Sequence, residues 1–593
     1  MSNDLSLEPR SKRAGRLGES GGSLSIVNSL DVLRNRLLLE IARKKAKEGA
    51  NRNRQMLMNL GKRAFFQRTA GYYGSNVSKH TGIVPLFANA KKFSNKIALR
   101  DSAGSYTYGN IFDSAKELSD KISSQLNGRT NERVLFLCSN DVTYVISLWA
   151  IWVSGQIAVP LSPLHPQNIL QYYANDTSSK LLVTTSQHKE IMTELSKTTN
   201  IKLYIINEEL QTKTRDKQAT GPKHLDGVVL SHKNLSVQST TLLDAWKWSS
   251  KDVILHTLPL HHVHGTVNAL FCPLHVGATT LMLPKFSAQN VWSHLLGRNK
   301  DLQNEQISVF MAVPTIYSKL VEEYEKNLKN ERDHVRDHLQ NKVRLMVSGS
   351  APLPVPLYKK WLEISGQRLL ERYGMTEIGM CLSNEYDSDR APGYVGVPLP
   401  GVSIRLSENV NDSYKTLLEC TNEKGVITFN KMVENNVNGE LLVKGEGIFK
   451  EYFNKPEVTK KEFTEDGWFK TGDMCEYSPE KYKFRMLGRT SVDIIKSGGY
   501  KISALQIETK LLAHPDIAEC VVLGISDDVW GEKIAAVIVP RSGSYITLDG
   551  LREWAADKMP KYSLPSVLEI VKEIPKNAMG KVNKKELVKS IFK

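Results

Sequence analysis

Short apolar runs alternate with helix-like segments through the middle of the chain. Residues 134–138 and 157–161 are apolar runs of the length of buried parallel strands, and residues 142–154 between them have the composition of a helix. The same kind of run predicts further strands at residues 253–258, 278–283, 309–313 and 345–348. Repeated alternation of strand and helix predicts a large doubly wound α/β domain over residues 97–488.

After residue 488 the pattern becomes that of a compact α+β unit. Strands are predicted near residues 519–525, 534–540 and 567–571, with helices at residues 504–513 and 548–558. We therefore expect residues 489–593 to form a small C-terminal lid that moves against the larger domain.

The amino-terminal segment, residues 1–63, contains one amphipathic helix pattern. Its apolar positions recur at spacings of three and four residues: Ile26, Leu30, Leu33, Leu37 and Ile41. Asn28 stands where it can cap that helix. Because an isolated helix is marginal in water, we expect it to hang on a flexible tether and to order in a receptor groove.

Composition and charge are those of a globular chain with extra basic segments. The 593 residues are 41% hydrophobic and 24% charged, and no apolar run reaches the roughly 18 residues of a membrane span. The net charge of +16 could suit nucleic acid, but residues 1–63 hold fourteen Lys and Arg against six Asp and Glu. The remainder is only mildly basic, so we predict neither nucleic-acid binding nor a transmembrane segment.

Six cysteines are scattered without paired spacing: Cys138, Cys272, Cys381, Cys420, Cys475 and Cys520. This scatter argues against a disulfide framework and against a zinc site. It favours a reducing compartment for the larger part of the chain.

Dibasic pairs flank the helix pattern, and a glycine stands directly before the second pair. Cleavage there, with the glycine used for amidation, would leave a carboxy-terminal amide on Leu60. The processing residues are Lys12, Arg13, Gly61, Lys62 and Arg63.

Residues 23–60 resemble the insect diuretic hormones of the corticotropin-releasing factor family, which implies a secreted peptide that binds a cell-surface receptor. The alternative is an Arg-rich transit peptide, which Asp31, Glu40 and Glu48 disfavour. Residues 1–9 show neither part of a secretory signal, and residues 64–96 form a basic linker resembling a transit region. We therefore expect no intact targeting signal at the amino terminus.

A series of short motifs occurs in order in the larger part of the chain. They are Glu371-Arg372-Tyr373-Gly374-Met375-Thr376 with Glu377, then Thr471-Gly472-Asp473, then Gly488-Arg489 with Lys496-Ser497-Gly498-Gly499-Tyr500, and finally Gly580-Lys581. Together they resemble the adenylate-forming superfamily of acyl-CoA synthetases, and residues 228–593 resemble the mitochondrial malonyl-CoA synthetases. The resemblance implies an acid–thiol ligase that uses ATP, Mg²⁺ and CoA, with a mitochondrial location for this part.

The resemblance also implies a role for each nucleotide-binding residue. Thr376 would contact the α-phosphate, Glu377 would hold Mg²⁺, and Lys581 would bridge the acyl carboxylate and the phosphates during adenylation. Asp473 would accept hydrogen bonds from the ribose hydroxyls, with Arg489 beside it. The remaining ATP- and AMP-binding candidates are Gly349, Ser350, Ala351, Glu371, Arg372, Tyr373, Gly374 and Met375.

The second half-reaction is expected to use the lid. In this superfamily the lid turns on a hinge just after the Gly-Arg pair, here near Ser491 or Asp493, and presents a channel for CoA. The resemblance places that channel at Lys496, Ser497, Gly498, Gly499 and Tyr500, where glycines allow a close approach of the pantetheine arm.

Two residues are candidates for the acyl pocket. His262 stands in the superfamily's histidine-containing acyl segment, and Arg344 could clamp the second carboxylate of malonate or methylmalonate, which would be costly to bury unpaired. A surface salt bridge is an equally weighted alternative for Arg344. Zinc is not expected at His261 and His262, because adjacent side chains of an extended segment point in opposite directions.

The strand and phosphate-binding loop that open this superfamily's sequence are not recognisable here. The loop is rich in Gly and Thr, and its amides cradle the ATP phosphates. Residues 207–227 are mostly polar, however, and only Thr220-Gly221 and Pro222-Lys223 echo it before the pattern resumes at Val228. We therefore expect that a central strand and the loop have been lost, and that adenylation falls below detection.

Three functions are open at this point. The first is an ATP-dependent synthetase that forms an acyl-CoA from malonate or methylmalonate. The second is a secreted diuretic neuropeptide precursor, fused to the enzyme as the product of two adjacent genes. The third is a synthetase-like protein without catalytic activity.

Overall fold

The computed structural model describes residues 85–206, 227–299, 306–410, 413–576 and 582–592, together with the backbone of Leu24–Asn28. This part of the chain is a mixed α/β protein built on four β-sheets. The predicted α/β class is confirmed.

The strands are numbered in chain order. The first fourteen are β1 Leu24–Asn28, β2 Ile97–Asp101, β3 Gly104–Thr107, β4 Arg133–Leu137, β5 Ile157–Pro160, β6 Leu181–Thr185, β7 Leu203–Ile206, β8 Gly227–Ser231, β9 Val253–His256, β10 Thr279–Met282, β11 Val309–Ala312, β12 Leu345–Ser348, β13 Leu370–Met375 and β14 Gly379–Ser383. The others are β15 Val397–Pro398, β16 Val402–Val410, β17 Ser413–Glu423, β18 Val426–Phe429, β19 Val437–Gly445, β20 Glu451–Tyr452, β21 Phe469–Ser478, β22 Lys483–Arg489, β23 Ile494–Ser497, β24 Tyr500–Ser503, β25 Ile517–Asp527, β26 Gly531–Pro540 and β27 Val567–Ile570.

The helices pack on the faces of these sheets. They are α1 Tyr108–Gln125, α2 Val142–Val153, α3 Gln167–Asp176, α4 Lys189–Thr199, α5 His232–Ala245, α6 Cys272–Val276, α7 Ala288–Leu295, α8 Pro314–Glu323, α9 Arg332–Lys342, α10 Val355–Ser365, α11 Pro456–Lys461, α12 Ala504–Leu511, α13 Leu548–Ala555 and α14 Lys584–Ile591. Shorter 3₁₀ turns lie at Leu86–Phe93, Ser186–His188, Lys329–Glu331 and Lys561–Ser563, and π-helical turns at His264–Phe271 and Tyr324–Leu328. In the described residues no helix combines the length and the apolar character needed to cross a membrane.

The helix between β4 and β5 shows how sequence fixes these elements. The Asp141 carboxylate accepts the backbone N–H of Thr143 at 2.8 Å and so caps the first turn of α2. Almost every residue of α2 is buried, as expected for a helix that is apolar on all sides. The predicted strand–helix–strand unit over residues 134–161 is confirmed.

The first sheet has seven strands in the order β20-β8-β1-β5-β4-β6-β7. Strands β5, β4, β6 and β7 are parallel neighbours. Strand β1 lies inside the sheet: it pairs in parallel with β5, with Ser25 opposite Ala158, and antiparallel with β8 along all five residues.

Strand β1 corrects part of the sequence prediction. Ile26 and Asn28, expected as the first apolar position and the cap of an amphipathic helix, lie in a strand instead. The pairing partners β5 and β8 belong to the larger domain, so these five residues do not hang free. Residues 29–60, which carry the rest of the predicted helix, lie outside the described residues.

The second sheet has nine strands in the order β15-β14-β13-β12-β11-β9-β10-β2-β3. Strands β12 and β13 are parallel, with Val347 opposite Leu370 and Ser348 opposite Glu371. Carboxyl ends of parallel strands meet at one edge of a sheet, which is where ligands of open α/β folds bind. The motifs that follow β12 and β13 therefore come together at this edge.

Of the other two sheets, the sequence predicted strands of the last one and missed the other. A six-stranded antiparallel sheet, β18-β17-β16-β19-β21-β22, occupies residues 402–489 and was not predicted. The last sheet, β24-β23-β26-β25 with β27 beside β26, contains the strands expected after residue 488. Helices α12 and α13 cover it, as predicted, and their apolar residues share one core with its strands.

Candidate functional site

A cavity of about 1670 Å³ lies between the second sheet and the carboxy-terminal sheet. One wall is formed by the residues that follow β12 and by β13, and the opposite wall by α12 and the start of α14. Most of the motif residues lie on these walls: Gly349, Ser350, Ala351, Glu371, Arg372, Tyr373, Gly374, Met375, Asp473 and Arg489. The structure thus brings together segments that are far apart in the sequence.

The turn after β12 is tight and strained. Ser350 has a φ of +68°, a left-handed conformation that is uncommon outside glycine. A Cβ added to Gly349 would stand only 2.4 Å from Cζ of Arg372, so the backbone at this point lies directly against the guanidinium. Strain of this kind concentrates at functional sites, and it supports the prediction that substrate meets this turn.

Arg372 is a buried cation on the cavity wall. Its side chain is 4% exposed. His264 lies beside it, with Nδ1 at 3.2 Å from the Ser350 hydroxyl. Burial, and next the positive charge of Arg372, hold the pKa of His264 well below its ordinary value. A buried imidazole and a buried guanidinium therefore lie beside the turn that holds Gly349 and Ser350.

The opposite face of β13 builds a polar corner. Tyr373 donates its hydroxyl to Oδ2 of Asp473 at 2.5 Å, and Nε of Arg489 lies 3.6 Å from Oδ1 of the same carboxylate. Asp473 is held further by its backbone N–H, which bonds Oγ1 of Thr471 at 3.1 Å. A carboxylate fixed in this way has the acceptors for hydroxyl groups. Binding of ribose by Asp473 and Arg489 stays a prediction.

Thr376 and Glu377 follow β13 but are deeply buried, at 3% and 0% exposed. Oε1 of Glu377 accepts the Tyr452 hydroxyl at 2.9 Å, and its backbone carbonyl accepts the N–H of Phe449 at 2.6 Å. The described residues contain no group of three metal-ligating side chains. Mg²⁺ binding by Glu377 stays a prediction.

Glu371 is a carboxyl group kept neutral by its surroundings. Burial raises its pKa to about 8, although its Oε1 accepts the N–H of Gly393 at 2.7 Å. Its neighbour Arg372 points to the other side of β13, because side chains alternate along a strand.

Asp493 is one of the two hinge candidates, and both of its carboxylate oxygens have partners. Its Oδ2 accepts the backbone N–H of Arg489 at 2.9 Å, which closes the turn between β22 and β23. Its Oδ1 lies 2.6 Å from Nζ of Lys584 at the start of α14. Ser491 lies in the same turn and also faces the cavity. A hinge at this turn stays a prediction.

The predicted CoA segment forms a tight hairpin between β23 and β24. Gly498 and Gly499 occupy its turn with φ of +56° and +82°, and a Cβ at Gly498 would contact the Trp530 ring at 2.9 Å. Tyr500 is 53% exposed and stacks on Tyr562 with ring centres 4.3 Å apart. Lys496 and Ser497 complete the hairpin by pairing with Lys501 and Tyr500. Binding of CoA here stays a prediction.

The prediction that Arg344 clamps a substrate carboxylate is wrong. Its Nε and Nη2 bind the two carboxylate oxygens of Asp252 at 2.7 and 2.8 Å, and Nη1 donates to the Trp246 carbonyl at 3.0 Å. Arg344 also precedes β12, whereas the site follows it, so the strand separates the two. A salt bridge is observed, as the alternative expected, but it is largely buried and not on the surface, because the Asp252 side chain is 4% exposed.

Histidines crowd the segment before the π-helical turn. The rings of His261 and His262 lie 4.3 Å apart, and His165 stands 5.7 Å from His261. Sequence reasoning selected His262 and passed over His264, which contacts Ser350. The position of His264 at the start of the helical turn could have identified it from the sequence. A side chain at the start of a helix can point back toward the edge of the sheet.

Several predicted residues lie outside the described part of the chain. They are Lys581, the residues 207–226 of the expected phosphate loop, and the processing residues Lys12, Arg13, Leu60, Gly61, Lys62 and Arg63. Their predicted roles stay predictions.

Comparison with family sequence models gives three matches. The model of the AMP-binding enzyme family matches residues 86–226 and 222–453, and that of the AMP-binding enzyme C-terminal domain matches residues 506–581. The model of the corticotropin-releasing factor family matches residues 23–60.

Known proteins resemble the chain over most of its length. It is 44% identical over 542 residues to the mitochondrial malonate–CoA ligase ACSF3 of Mus musculus, covering 86% of this chain and 92% of that protein. It is 36% identical over 579 residues to a malonate–CoA ligase of Arabidopsis thaliana, covering 89% and 91%. Among solved structures, ATP-bound MatB from Rhodopseudomonas palustris superimposes with a TM-score of 0.73 at 27% identity, covering 86% of this chain and all of that one.

Proposed function

Because this chain belongs to the AMP-binding enzyme family, we propose that its site is that of an acid–thiol ligase that joins malonate or methylmalonate to CoA with ATP. Adenylation by the unaltered chain is expected to be undetectable, because no phosphate loop is recognisable before Val228. The observation that carries the choice of a dicarboxylic acid is the buried guanidinium of Arg372 on the cavity wall. The names of the relatives agree with this choice.

Arg372 suits the second carboxylate of such an acid. Arg372 is 4% exposed and lines the cavity, so its positive charge is available to an anionic group bound there. A guanidinium presents paired donors that match a carboxylate. Gly349 lies against the Arg372 guanidinium, and both line the cavity that Asp473 also lines.

The reaction then takes two displacements at one site. In the first, an oxygen of the free carboxylate attacks the α-phosphorus of ATP and pyrophosphate leaves. In the second, the sulfur of CoA attacks the acyl carbon, its proton is lost, and AMP leaves. Asp473, Tyr373 and Arg489 would hold the ribose through both steps, so that the phosphorus and the carboxylate stay in line.

Mg²⁺ is expected at Glu377 from the sequence, although Glu377 is 0% exposed and is not among the residues that line the cavity. Magnesium in proteins commonly takes one or two carboxylates together with substrate phosphates, rather than a cage of protein ligands. Glu377 would supply the carboxylate oxygen, oriented by the Tyr452 hydroxyl. The ion would neutralise charge on the phosphates, and Thr376 would contact the α-phosphate, as predicted from sequence.

We further infer a mitochondrial location, because the vertebrate relatives at 42–45% identity are mitochondrial ligases. The match of residues 23–60 to a hormone family supports the second candidate, a diuretic peptide precursor that acts on a cell-surface receptor. That candidate concerns only the amino-terminal segment. It does not explain the cavity or the motifs that line it. We therefore prefer the ligase function.

Calorimetric binding of two stable acyl-adenylate analogues to the full chain tests the proposal. The analogue carrying a malonyl group should bind at least tenfold more tightly than the one carrying an acetyl group. Arg372→Met should remove that preference, and Asp473→Asn should weaken both analogues alike. Lys501→Met is the matched control, since Lys501 also lines the cavity but lies on the lid. Equal binding of both analogues to the unaltered chain would refute the dicarboxylic substrate.

A further inference from the structure

Strand β1 occupies an interior position of the first sheet, although it comes from the hormone-like segment. Five consecutive residues pair with β8, from Leu24 opposite Ser231 to Asn28 opposite Gly227. On the other side Ser25 pairs with Ala158 of β5. Without β1 the facing edges of β5 and β8 would leave backbone N–H and C=O groups unpaired inside the protein, which is costly.

Strand β1 pairs as a strand directly before β8 would be expected to pair. This chain lacks the apolar strand that the family pattern has before Val228, and the family model matches it in two stretches that overlap at residues 222–226. A strand joined to β8 by a short loop would pair with it antiparallel, as neighbours in a hairpin do. Strand β1 pairs with β8 in that direction and with β5 in parallel.

We propose that Leu24–Asn28 is an intramolecular donor strand that replaces the lost central strand of the enzyme. This is strand addition, in which main-chain hydrogen bonds supply the affinity. The composition suits the position: the sequence Leu-Ser-Ile-Val-Asn contains two adjacent β-branched residues, which favour strands. The hormone-like segment therefore has a second use, as a structural part of the ligase fold.

The two uses of these residues exclude one another. As a peptide hormone the segment would begin a helix at about Asn28, whereas in the sheet the same residues are extended. The donor strand is thus available to the sheet only while it is not in a receptor groove.

A cysteine pair tests the register directly in the full chain. Ile26 lies opposite Val229, and opposed Cα atoms of antiparallel strands are about 4.5–5.5 Å apart, within the span of a disulfide. Ile26→Cys with Val229→Cys should form a disulfide on mild oxidation, seen as one cross-linked tryptic peptide by mass spectrometry. The six native cysteines are buried and should not compete.

Two control pairs sharpen this test. Ile26→Cys with Val228→Cys is one residue out of register and places the thiols on opposite faces of the sheet, so it should stay reduced. Leu37→Cys with Val229→Cys should also stay reduced, because it lies outside the strand. Failure of the Ile26–Val229 pair to form, or equal formation in the controls, would overturn the donor strand.

Hydrogen exchange supplies an independent measurement. Ile26→Pro removes a backbone donor from an interior strand, so the amides of β5 and β8 should exchange at least tenfold faster than in the unaltered chain. Leu37→Pro should leave both strands protected. If β8 keeps its protection in the Ile26→Pro protein, the sheet does not depend on β1 and the proposal fails. This result is independent of substrate binding at Arg372.

Discussion

Nζ of Lys584 lies 2.6 Å from Oδ1 of Asp493, so the first residue of the last helix is ion-paired to the turn between β22 and β23. Glu508 on α12 makes a second contact with the same ammonium at 2.7 Å. Lys584 is three residues beyond Lys581. The chain that carries the predicted catalytic lysine is therefore fastened to the predicted hinge.

Lys584→Met should loosen this fastening. The change leaves two carboxylates without their shared cation, and breaking a buried pair of this kind costs about 3–5 kcal/mol. We expect faster hydrogen exchange in α14 and around residues 489–493, while β12 and β13 keep their protection. Adding Glu508→Gln and Asp493→Asn to Lys584→Met should recover most of the loss. Unchanged exchange in α14 after Lys584→Met would show that the ion pairs do not hold the helix.

Arg344→Ala is expected to affect stability and not substrate choice. Asp252 is 4% exposed on its side chain and would lose the bidentate partner that holds its pKa down. The free energy of unfolding should fall by about 3 kcal/mol, measured by denaturant titration. The preference for a malonyl over an acetyl adenylate should persist. A selective loss of the malonyl analogue would return Arg344 to the acyl pocket.

We expect the free energy of unfolding to fall with rising pH because of Glu371. Its pKa is raised to about 8 in the folded protein, so the folded state keeps a proton that the unfolded chain releases near its ordinary, lower pKa. Between about pH 5 and pH 8 the carboxyl group should therefore cost stability, by up to about 1.4 kcal/mol for each pH unit. Glu371→Gln should flatten this part of the curve in thermal melts. Identical curves would mean that Glu371 is ionised in the folded state.

Adenylation should be undetectable in the unaltered chain and recoverable. One preorganised hydrogen-bond donor stabilises the transition state by about 3–4 kcal/mol. The phosphate loop of the family would supply several such donors, and this chain has no recognisable loop of that kind. Inserting an apolar strand and a loop rich in Gly and Thr before Val228 should restore ATP–pyrophosphate exchange with malonate.

The inserted strand should displace β1 from the sheet, so the Ile26–Val229 disulfide should be lost at the same time. Strong exchange by the unaltered 593-residue chain would contradict the expectation and would assign phosphate binding to residues 220–227.

The sequence predicted the elements whose residues are buried on both faces. Strands β4, β9 and β12 are continuous apolar runs, and each was located within one or two residues. The antiparallel sheet of residues 402–489 was missed because its strands alternate between buried and exposed positions and mix in charged residues, as β16 and β17 do. Short motifs could not reveal it.

The site was predicted where a motif fixes local geometry and missed where distant contacts decide. Tyr373 and Asp473 meet because both lie in motif strands. The partner of Arg344 is 92 residues away, and nothing near Arg344 in the sequence points to Asp252. Likewise, β1 pairs with a strand about 200 residues away. The helical spacing of Ile26 and Leu30 gave no indication of this pairing.

Cleavage at the dibasic sites would not by itself release the amino-terminal fragment from the first sheet. A protease that cut after Arg63 would break the covalent connection, yet Leu24–Asn28 would remain bound to both neighbouring strands through their backbone groups. The nicked protein would behave as a two-fragment complex held without a covalent link. Escape of the hormone-like fragment would then require the sheet to open, and its rate would be set by local unfolding and not by proteolysis.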